Sequence, residues 1–243
     1  DRVRWIRGAT SDYGEVICAL QGAEAVIHLA AYSIPYKEVP NHVLFANNVV
    51  GTYNILEAAA FLGVRRVAIA SSGGILGWAY STRKVLPKYL PIDEDHPLTP
   101  HDPYGLGKLC EEAAANSFTL KCDMETVALR PGWVLFPDQT AFLSKSGGRP
   151  ITKIDVYTYI DARDLALAFR RAVEIPHKGH EALFIVADDS CANEPLSEGL
   201  PRVAPELKDM ARVIEGDRSG INNSRAKKVL GWDPKHTWRR PDW

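Results

Sequence analysis

The sequence predicts an α/β fold, in which helices cover both faces of a doubly wound parallel sheet and a small, irregular portion follows at the C-terminal end. Short apolar runs alternate with segments of helical periodicity, a pattern typical of parallel sheets. The runs at 25–31 and 67–70 are almost continuously apolar, as expected of strands buried on both faces. The chain has 243 residues, of which 46% are hydrophobic, and this composition excludes a disordered chain.

The predicted elements follow one another with recognisable boundaries. Ser11 or Asp12 can cap the first helix, Asp102-Pro103 gives an N-cap followed by proline, and Gly63 suits a helix end. The predicted strands cover residues 3–6, 25–31, 67–70, 125–130 and 182–187, and the predicted helices cover residues 11–20, 48–62, 104–120 and 162–174.

Two stretches break the alternation. Residues 136–158 read as irregular, with Gly147-Gly148 and two prolines, and residues 188–243 are rich in Pro, Gly, Asn and Ser. Such excursions usually lie above the carboxyl edge of a doubly wound sheet, where ligands bind. We therefore divide the chain into a core (1–135), an insert on the substrate side (136–158), a return to the core (159–187) and a C-terminal portion (188–243).

Composition also disfavours several classes of protein. The formal net charge is −1, so no basic excess favours a nucleic-acid partner. No apolar run reaches the ~18 residues of a membrane span. The four cysteines lie far apart without a CxxC pair, which indicates reduced thiols and a cytoplasmic protein. The seven histidines form no HxH or HxxxH pair, so we expect no metal site, and His28 reads as a core histidine.

The strongest chemical signal combines two serines at a strand end with a tyrosine and a lysine on a helix. Ser71-Ser72 follow the strand at 67–70, and Tyr104 and Lys108 are four residues apart, so their side chains share a helix face. A tyrosine is a poor base at neutral pH, and a fixed cation beside it favours the phenolate. Ser72 can hold a substrate oxygen while Tyr104 moves the proton. The alternative is a surface tyrosine beside a solvated lysine.

Eight motifs occur in an order shared with a known family. They are AVIHLAA at 25–31, NVVGTYN at 48–54, GVRRV at 63–67, Ser71-Ser72 with Gly77, Asp102-Pro103-Tyr104 with Lys108, LRPG at 129–132, YIDARDLA at 159–166 and LGWDP at 230–234. Together they resemble the extended short-chain dehydrogenases/reductases, the NAD-dependent epimerase/dehydratase group. The resemblance implies a Rossmann-type fold, a small C-terminal substrate-binding portion, and NAD or NADP as cofactor.

The resemblance also implies roles for individual residues. Tyr104 transfers a proton, Lys108 binds the nicotinamide ribose and tunes Tyr104, and Ser72 is the third catalytic residue. The implied cofactor-binding residues are Leu29, Ala30, Ala31, Asn48, Ser71, Tyr104, Lys108, Pro131 and Gly132. The implied substrate-binding residues are Ser72, Gly73, Trp133 and Tyr157. Asn48 has an alternative role as the cap of the helix at 48–62.

The resemblance implies an oxidoreductase or epimerase acting on a secondary alcohol or ketone. Tyr157 and Trp133 stand where nucleotide-sugar enzymes commonly carry an Arg for the diphosphate and an Asn, and Ala9 stands where an Asp commonly faces the adenine. We therefore expect a small sugar, sugar acid or related carbonyl compound, with a nucleotide-sugar epimerase or dehydratase as the alternative. Arg149, Lys145 and Lys153 are either an anion clamp or solvated loop charges.

The family's opening strand, GxxGxxG turn and helix have no counterpart in this sequence. Without that strand, the strand at 25–31 has an open edge, so we expect a preceding segment. Alternatives of another class are a cofactor-free binding or regulatory relative, or a cofactor-independent isomerase. The resemblance further implies a homodimer through the helices at 48–62 and 104–120. It leaves open the choice between NAD and NADP, and the choice among epimerase, dehydrogenase/reductase and dehydratase.

Overall fold

A computed structural model of the chain describes residues 3–35, 37, 39–81 and 83–240, so the outermost residues of the predicted core and C-terminal portion lie outside it. The strands are β1 (Ala25–His28), β2 (Arg66–Ala70), β3 (Glu125–Pro131), β4 (Trp133–Leu135), β5 (Tyr159–Asp161) and β6 (His180–Ile185). The helices are α1 (Tyr13–Leu20), α2 (Asn41–Phe61), α3 (Pro103–Cys122), α4 (Pro137–Ser146), α5 (Ala162–Glu174), α6 (Leu196–Val203), α7 (Lys208–Ala211) and α8 (Ser224–Leu230), with short 3₁₀ turns at Gly73–Leu76 and Pro205–Leu207.

Four parallel strands form the main sheet in the order β1-β2-β3-β6. One face packs under α1, α2 and α3 through residues such as Leu56 and Phe118. The other face packs under α5 and α8 through Phe169, Leu230 and Trp232. Helices therefore cover both faces of a parallel sheet, which confirms the predicted fold class.

The N-terminal elements differ from the prediction. Residues 3–6 form no strand, and Trp5 is 91% exposed. A strand needs a neighbour for its backbone groups, and among the described residues β1 is itself the sheet edge, with Ile27 exposed. β1 also ends at His28, three residues before the predicted end.

Helix α2 begins at Asn41, seven residues before the predicted start at residue 48. The fully buried Leu44 extends its apolar face toward the N-terminus. Asn48 therefore lies inside the helix and is not its cap. Its side chain instead accepts a hydrogen bond from the Tyr32 N–H and donates one to the Tyr32 carbonyl, both at 2.9 Å, and so holds the loop after β1 against α2.

The segment 136–158 is not wholly irregular, because it contains α4. Pro137 occupies the first helical position, Gln139 accepts a hydrogen bond from the Phe136 N–H at 3.0 Å, and Gly147 ends the helix with φ 73°. The proline and glycines that suggested a loop are thus helix boundaries. β4 and β5 pair in parallel beside the main sheet and connect this segment to the core.

The C-terminal residues contain three short helices and share a core with the sheet. Leu200 of α6 and Trp238 pack with Ile75, Leu76 and Phe184. This cluster lies beyond the carboxyl ends of β2 and β3. None of the described helices is long and apolar enough to cross a membrane.

Candidate active site

A cavity of about 380 Å³ lies at the carboxyl edge of the main sheet. Ser72 and Gly73 reach it from the end of β2, Tyr104 from the first turn of α3, and Pro131-Gly132 from the end of β3. Parallel strands present their carboxyl ends at one edge, so residues far apart in sequence meet here. Trp133 lines the same cavity, so the structure brings together six of the site residues predicted from sequence.

Tyr104 is fixed by the start of its helix. Asp102 caps α3, and its Oδ1 accepts hydrogen bonds from the N–H groups of Tyr104 and Gly105, each at 2.9 Å. A side chain at Gly74 would lie 3.2 Å from Ser72 Oγ and 3.6 Å from Tyr104 Cε1, so this glycine lets the serine and the tyrosine approach each other. Ser72 Oγ accepts the Gly74 N–H at 3.0 Å, which fixes the hydroxyl beside the cavity.

Lys108 lies behind Tyr104 and not on the cavity surface. Its side chain is 4% exposed, and its Nζ is 5.6 Å from the centroid of the Tyr104 ring. The ammonium donates a hydrogen bond to Glu111 Oε2 at 2.9 Å. The lysine is therefore buried and paired, and the alternative of a solvated lysine is wrong.

Ser71 belongs to a second buried network. It is 2% exposed and donates to Glu112 Oε1 at 2.5 Å. Arg130 of β3 holds the same carboxylate in a bidentate pair, with nitrogen–oxygen distances of 2.9 and 2.7 Å. Ser71 therefore ties β2 to α3 and β3, and the structure does not place it on the cavity surface.

His28 is a satisfied core histidine, as expected. Its Nε2 lies 3.0 Å from Thr52 Oγ1 on α2. Burial, together with the nearby Lys108 ammonium, lowers the pKa of His28 to about 4. The ring is therefore neutral at neutral pH and adds no charge beside Lys108.

Arg149 lines the cavity beside the Trp133 ring. Its guanidinium carbon lies 5.1 Å from the centroid of the Trp133 ring and 5.3 Å from that of Tyr157. Trp133 is 47% exposed, and Lys153 and Asp155 also line the cavity. Arg149 is thus a positioned cation and not a freely solvated one, whereas Lys145 is exposed on α4 outside the cavity.

Tyr157 is 1% exposed and lies away from the cavity surface, contrary to the predicted direct contact with substrate. Its hydroxyl accepts the Thr152 N–H at 3.1 Å and donates to the Lys153 carbonyl at 3.2 Å. The Tyr157 hydroxyl is thus hydrogen-bonded to backbone groups of its own loop. Tyr157 therefore supports the loop that carries Lys153, and its ring supports Arg149.

Glu111, Glu112 and Arg130 form buried contacts beside the cavity that were not predicted from the sequence. A signal for Glu111 was available, because residues three apart on a helix share a face and Glu111 follows Lys108 at that spacing. No sequence signal identified the pairing of Glu112 with Arg130, since it joins a helix to a strand 18 residues later in the chain.

The family model for the NAD-dependent epimerase/dehydratase family matches residues 1–186 of the chain. The chain belongs to this family. A UDP-glucose 4-epimerase of Mycolicibacterium smegmatis is 32% identical over 232 residues, which cover 87% of this chain and 71% of that protein. A uronate dehydrogenase of Pseudomonas syringae pv. tomato is 29% identical over 170 residues, which cover 70% of this chain and 54% of that protein.

Solved structures of similar proteins show the same Rossmann-type fold. A short-chain dehydrogenase/reductase superfamily protein from Agrobacterium tumefaciens with bound NAD superposes with a TM-score of 0.70 at 23% identity, covering 96% of this chain and 81% of that one. Glucuronic acid dehydrogenase from Chromohalobacter salexigens gives 0.67 at 21% identity, covering 96% and 69%. This epimerase/dehydratase family member is thus an NAD(P)-dependent enzyme.

The described residues fit one end of a nicotinamide dinucleotide. Leu29 and Ala30 are exposed and Ala31 is half-buried at the carboxyl end of β1, which gives an open apolar edge. Pro131-Gly132 offer backbone at the end of β3, because Gly132 packs closely on the backbone of β5: a Cβ there would lie 3.1 Å from the Tyr159 nitrogen. No strand, glycine-rich turn and helix of the pyrophosphate-binding kind occurs within residues 3–35, 37, 39–81 and 83–240.

Proposed function

We propose that this protein is an NAD(P)-dependent oxidoreductase or epimerase that acts on a secondary alcohol or ketone of a small sugar acid or sugar. The observation that carries the proposal is the meeting of Ser72 and Tyr104 at one cavity, with the Lys108 ammonium buried behind the phenol. This arrangement suits removal of a hydroxyl proton by Tyr104, because a nearby cation stabilises the phenolate.

Each side chain has a defined task in the proposed reaction. Ser72 holds the substrate oxygen by a hydrogen bond, and Tyr104 accepts the hydroxyl proton. A nicotinamide dinucleotide, which Leu29, Ala30, Ala31 and Pro131-Gly132 would hold, would supply the acceptor for the hydride of the same carbon. In a dehydrogenase the keto product leaves, whereas in an epimerase the carbonyl is reduced again from its other face and Tyr104 returns the proton to the oxygen.

We propose that residues at two strand ends bind the cofactor. Leu29, Ala30 and Ala31 supply an apolar edge, and Pro131-Gly132 supply backbone groups near the reacting end. Asn48 acts on this region through the Tyr32 backbone, since it fixes the loop that follows β1. Both NAD and NADP are compatible with these contacts, because none of them concerns the adenosine ribose.

Arg149 supports a sugar acid as the preferred substrate. Its guanidinium is held against two aromatic rings and is half-buried, so it is preorganised to bind a carboxylate. Gly73 and Trp133 would contact the rest of the substrate. The uronate dehydrogenase similar to this chain supports the same substrate class.

A nucleotide-sugar epimerase is the second candidate. It is supported by the UDP-glucose 4-epimerase that is 32% identical over 87% of this chain. A diphosphate needs several cations or N–H donors to offset its desolvation. At the cavity Arg149 and Lys153 are cationic, but Asp155 is acidic and the bulky Trp133 occupies part of the surface. The sugar acid therefore remains the preferred proposal.

A substrate panel tests this choice. Sugar acids, neutral sugars and UDP-, GDP- and dTDP-sugars are assayed with NAD and NADP by the absorbance of the reduced cofactor and by chromatographic detection of epimers. We expect turnover of sugar acids, with Arg149→Met lowering kcat/KM for them by roughly tenfold to a hundredfold, the range of a hydrogen bond to a charged group.

Two comparisons make the panel specific. Arg149→Met should leave kcat/KM for neutral sugars nearly unchanged, and Lys145→Met, which removes an exposed cation of α4, should change neither class. Turnover of a nucleotide sugar at kcat/KM above about 10⁴ M⁻¹s⁻¹ without turnover of sugar acids would replace the first candidate by the second.

We further propose a homodimer that forms through α2 and α3. Apolar side chains are exposed on both helices, namely Val43, Val50, Tyr53, Phe61, Leu106 and Leu120. The two helices pack on each other, with the Tyr53 and Phe118 ring centroids 5.4 Å apart, so they present one continuous surface. A second copy of the chain would bury it.

We place the protein in the cytoplasm. All four cysteines are free thiols, and Cys18 and Cys122 are exposed. Exposed free thiols are compatible with a reducing compartment.

A further inference from the structure

A buried ion pair lies directly behind the proposed proton-transfer residue. The Lys108 ammonium nitrogen is 2.9 Å from Glu111 Oε2, and the two side chains are only 4% and 2% exposed. The same nitrogen lies 5.6 Å from the centroid of the Tyr104 ring. The proposed reaction uses the charge of Lys108 but gives no task to Glu111.

We propose that Glu111 is a positioning residue that fixes the Lys108 ammonium and offsets part of its charge, so that Tyr104 releases its proton at a higher pH than it would beside an unpaired lysine. This inference rests on the proposed roles of Tyr104 and Lys108. It goes beyond them, since it assigns the pH range of the reaction to a carboxylate that does not touch the substrate.

The sign of the effect follows from electrostatics at short range. An ammonium near a phenol stabilises the phenolate, whereas a carboxylate paired with that ammonium offsets part of this stabilisation. Both charges act strongly here because little water surrounds them. Replacing Glu111 by a neutral residue of similar shape leaves the stabilising charge and removes the opposing one. The phenolate of Tyr104 then forms at lower pH.

The two partners depend on each other for their charge. Burial raises the pKa of the Glu111 carboxyl, and the Lys108 ammonium opposes that rise. Glu111 therefore does not act as an isolated acid, and its effect on Tyr104 is exerted through the lysine.

Other charges surround this pair, but they are the same in every variant compared. His28 of β1 is neutral at neutral pH, because burial and Lys108 lower its pKa to about 4. Glu112 and Arg130 neutralise each other as a bidentate pair. Further titratable groups on neighbouring elements and around the cavity include Tyr53 and Glu57 of α2, Asp102, His180, Tyr80, Arg149, Lys153 and Asp155. These groups affect the midpoint of the Tyr104 titration in the wild type. They do not account for a change in that midpoint when Glu111 is replaced.

The test is a titration of Tyr104 without cofactor or substrate. The near-ultraviolet tyrosinate absorbance of each protein is compared with that of the same protein carrying Tyr104→Phe, so that the difference reports Tyr104 alone. We expect Glu111→Gln to move the midpoint toward acid by about one pH unit. An unchanged midpoint, or one moved toward alkali, overturns the proposal.

Two further variants separate charge from structure. Glu111→Asp keeps the carboxylate and should titrate close to the wild type. Glu57→Gln removes a half-buried carboxylate of α2 that makes no bond to Lys108 and should leave the midpoint unchanged. A shift of equal size in either variant overturns the role of Glu111. Circular dichroism checks folding, and Glu111→Met gives the same readout if the Gln variant does not fold.

Kinetics distinguish failure of this inference from failure of the proposed function. With an active substrate, the acid limb of kcat/KM for oxidation should move with the titration, raising kcat/KM of Glu111→Gln by about tenfold at a pH on that limb. Turnover without any shift overturns the role of Glu111 alone. A shifted titration in a protein that turns over no sugar or sugar acid supports Glu111 and overturns the proposed function.

Discussion

Tyr104 illustrates how one residue obtains a chemical role from its local sequence. The Asp102 cap and Pro103 start α3 at a defined residue, which points the Tyr104 side chain toward the strand ends and places Lys108 one turn behind it. The cap satisfies two N–H groups that would otherwise lack partners. A residue without these neighbours would be an ordinary surface phenol.

Tyr104→Phe should nearly abolish turnover while leaving cofactor affinity within about twofold of wild type. The phenol acts on the substrate proton, and positioned acids and bases contribute roughly a hundredfold to ten-thousandfold to the rate. Steady-state kinetics with an active substrate and fluorescence titration of the reduced cofactor measure the two effects separately.

The matched control is Tyr80→Phe. Tyr80 also lines the cavity, with its ring edge-on to that of Tyr104 at 6.1 Å, but its hydroxyl bonds the Ser33 carbonyl at 3.4 Å. We expect it to retain turnover within about fivefold, because removing one peripheral hydrogen bond costs about 1 kcal/mol. A Tyr104→Phe enzyme with activity within about tenfold of wild type contradicts the assignment.

Sequence spacing predicted some of the side-chain contacts around Tyr104 and did not predict others. The four-residue interval placed Tyr104 and Lys108 on one face, and the structure agrees. Spacing does not state whether that face is buried, so the pairing of Lys108 with Glu111 was not predicted. Tyr157 was expected at the substrate because it stands where nucleotide-sugar enzymes commonly carry an Arg, but its burial depends on how the loop at 152–153 folds over it.

At the scale of elements, prediction succeeded where an apolar period was continuous and failed at boundaries. β2, β3 and α5 lie close to their predicted positions. α4 was missed because its terminal proline and glycines were read as loop signals, and the apolar run at 3–6 was read as a strand although no described strand pairs with it. Strand formation depends on a neighbour that the local sequence does not specify.

Asp164 connects two elements of the fold through contacts that the sequence did not predict. It is 2% exposed in the first turn of α5, and its Oδ2 accepts the backbone N–H groups of Lys235 and His236 at 2.9 and 2.8 Å. Its backbone carbonyl accepts the Trp232 indole N–H at 2.9 Å. One residue thereby ties the chain after α8 to the start of α5, where a negative charge is also favoured by the helix dipole.

Asp164→Asn should lower the free energy of unfolding by about 2–3 kcal/mol. The asparagine amide carries no charge. In one of its two orientations, its NH₂ group faces the backbone N–H groups that the carboxylate oxygen accepts. Thermal unfolding monitored by circular dichroism should show a Tm lower by roughly 4–12 °C, given the size of the chain.

Asp138→Asn is the control for that measurement. Asp138 also lies in the first turn of a helix, α4, but it is exposed. We expect its unfolding midpoint to match the wild type. If the two variants unfold together, the bonds from Asp164 to residues 235 and 236 contribute nothing measurable to stability.

At the scale of the whole molecule, three apolar clusters are arranged around one sheet. Two lie on its faces, and the third joins the C-terminal helices to the carboxyl edge of the sheet. The cavity forms where this third cluster meets the strand ends, so the C-terminal portion adds Ile221 to its lining and none of the residues proposed to transfer the proton. Alternation of strands and helices predicted the first two clusters, whereas the third depends on contacts between residues more than 100 positions apart.

An apolar surface outside these clusters lies on α2 and α3, and it carries the prediction of a dimer. Each helix has about 20 residues, so the pair presents a face of roughly 30 by 20 Å, or about 600 Å². That approaches the ~800 Å² per partner of a standard interface. Val50, Tyr53 and Leu106 are each 45–47% exposed on this surface. A second copy of the chain would bury these side chains.

Sedimentation velocity should therefore give a dimer at micromolar concentration. Val50→Glu combined with Leu106→Glu should give a folded monomer, because burying two unpaired carboxylates in an apolar interface is strongly unfavourable. Phe142→Glu, which changes an aromatic side chain of α4 that is 73% exposed, should remain a dimer since α4 lies outside the proposed interface. A monomeric wild type, or a double variant that still sediments as a dimer, contradicts the α2–α3 interface.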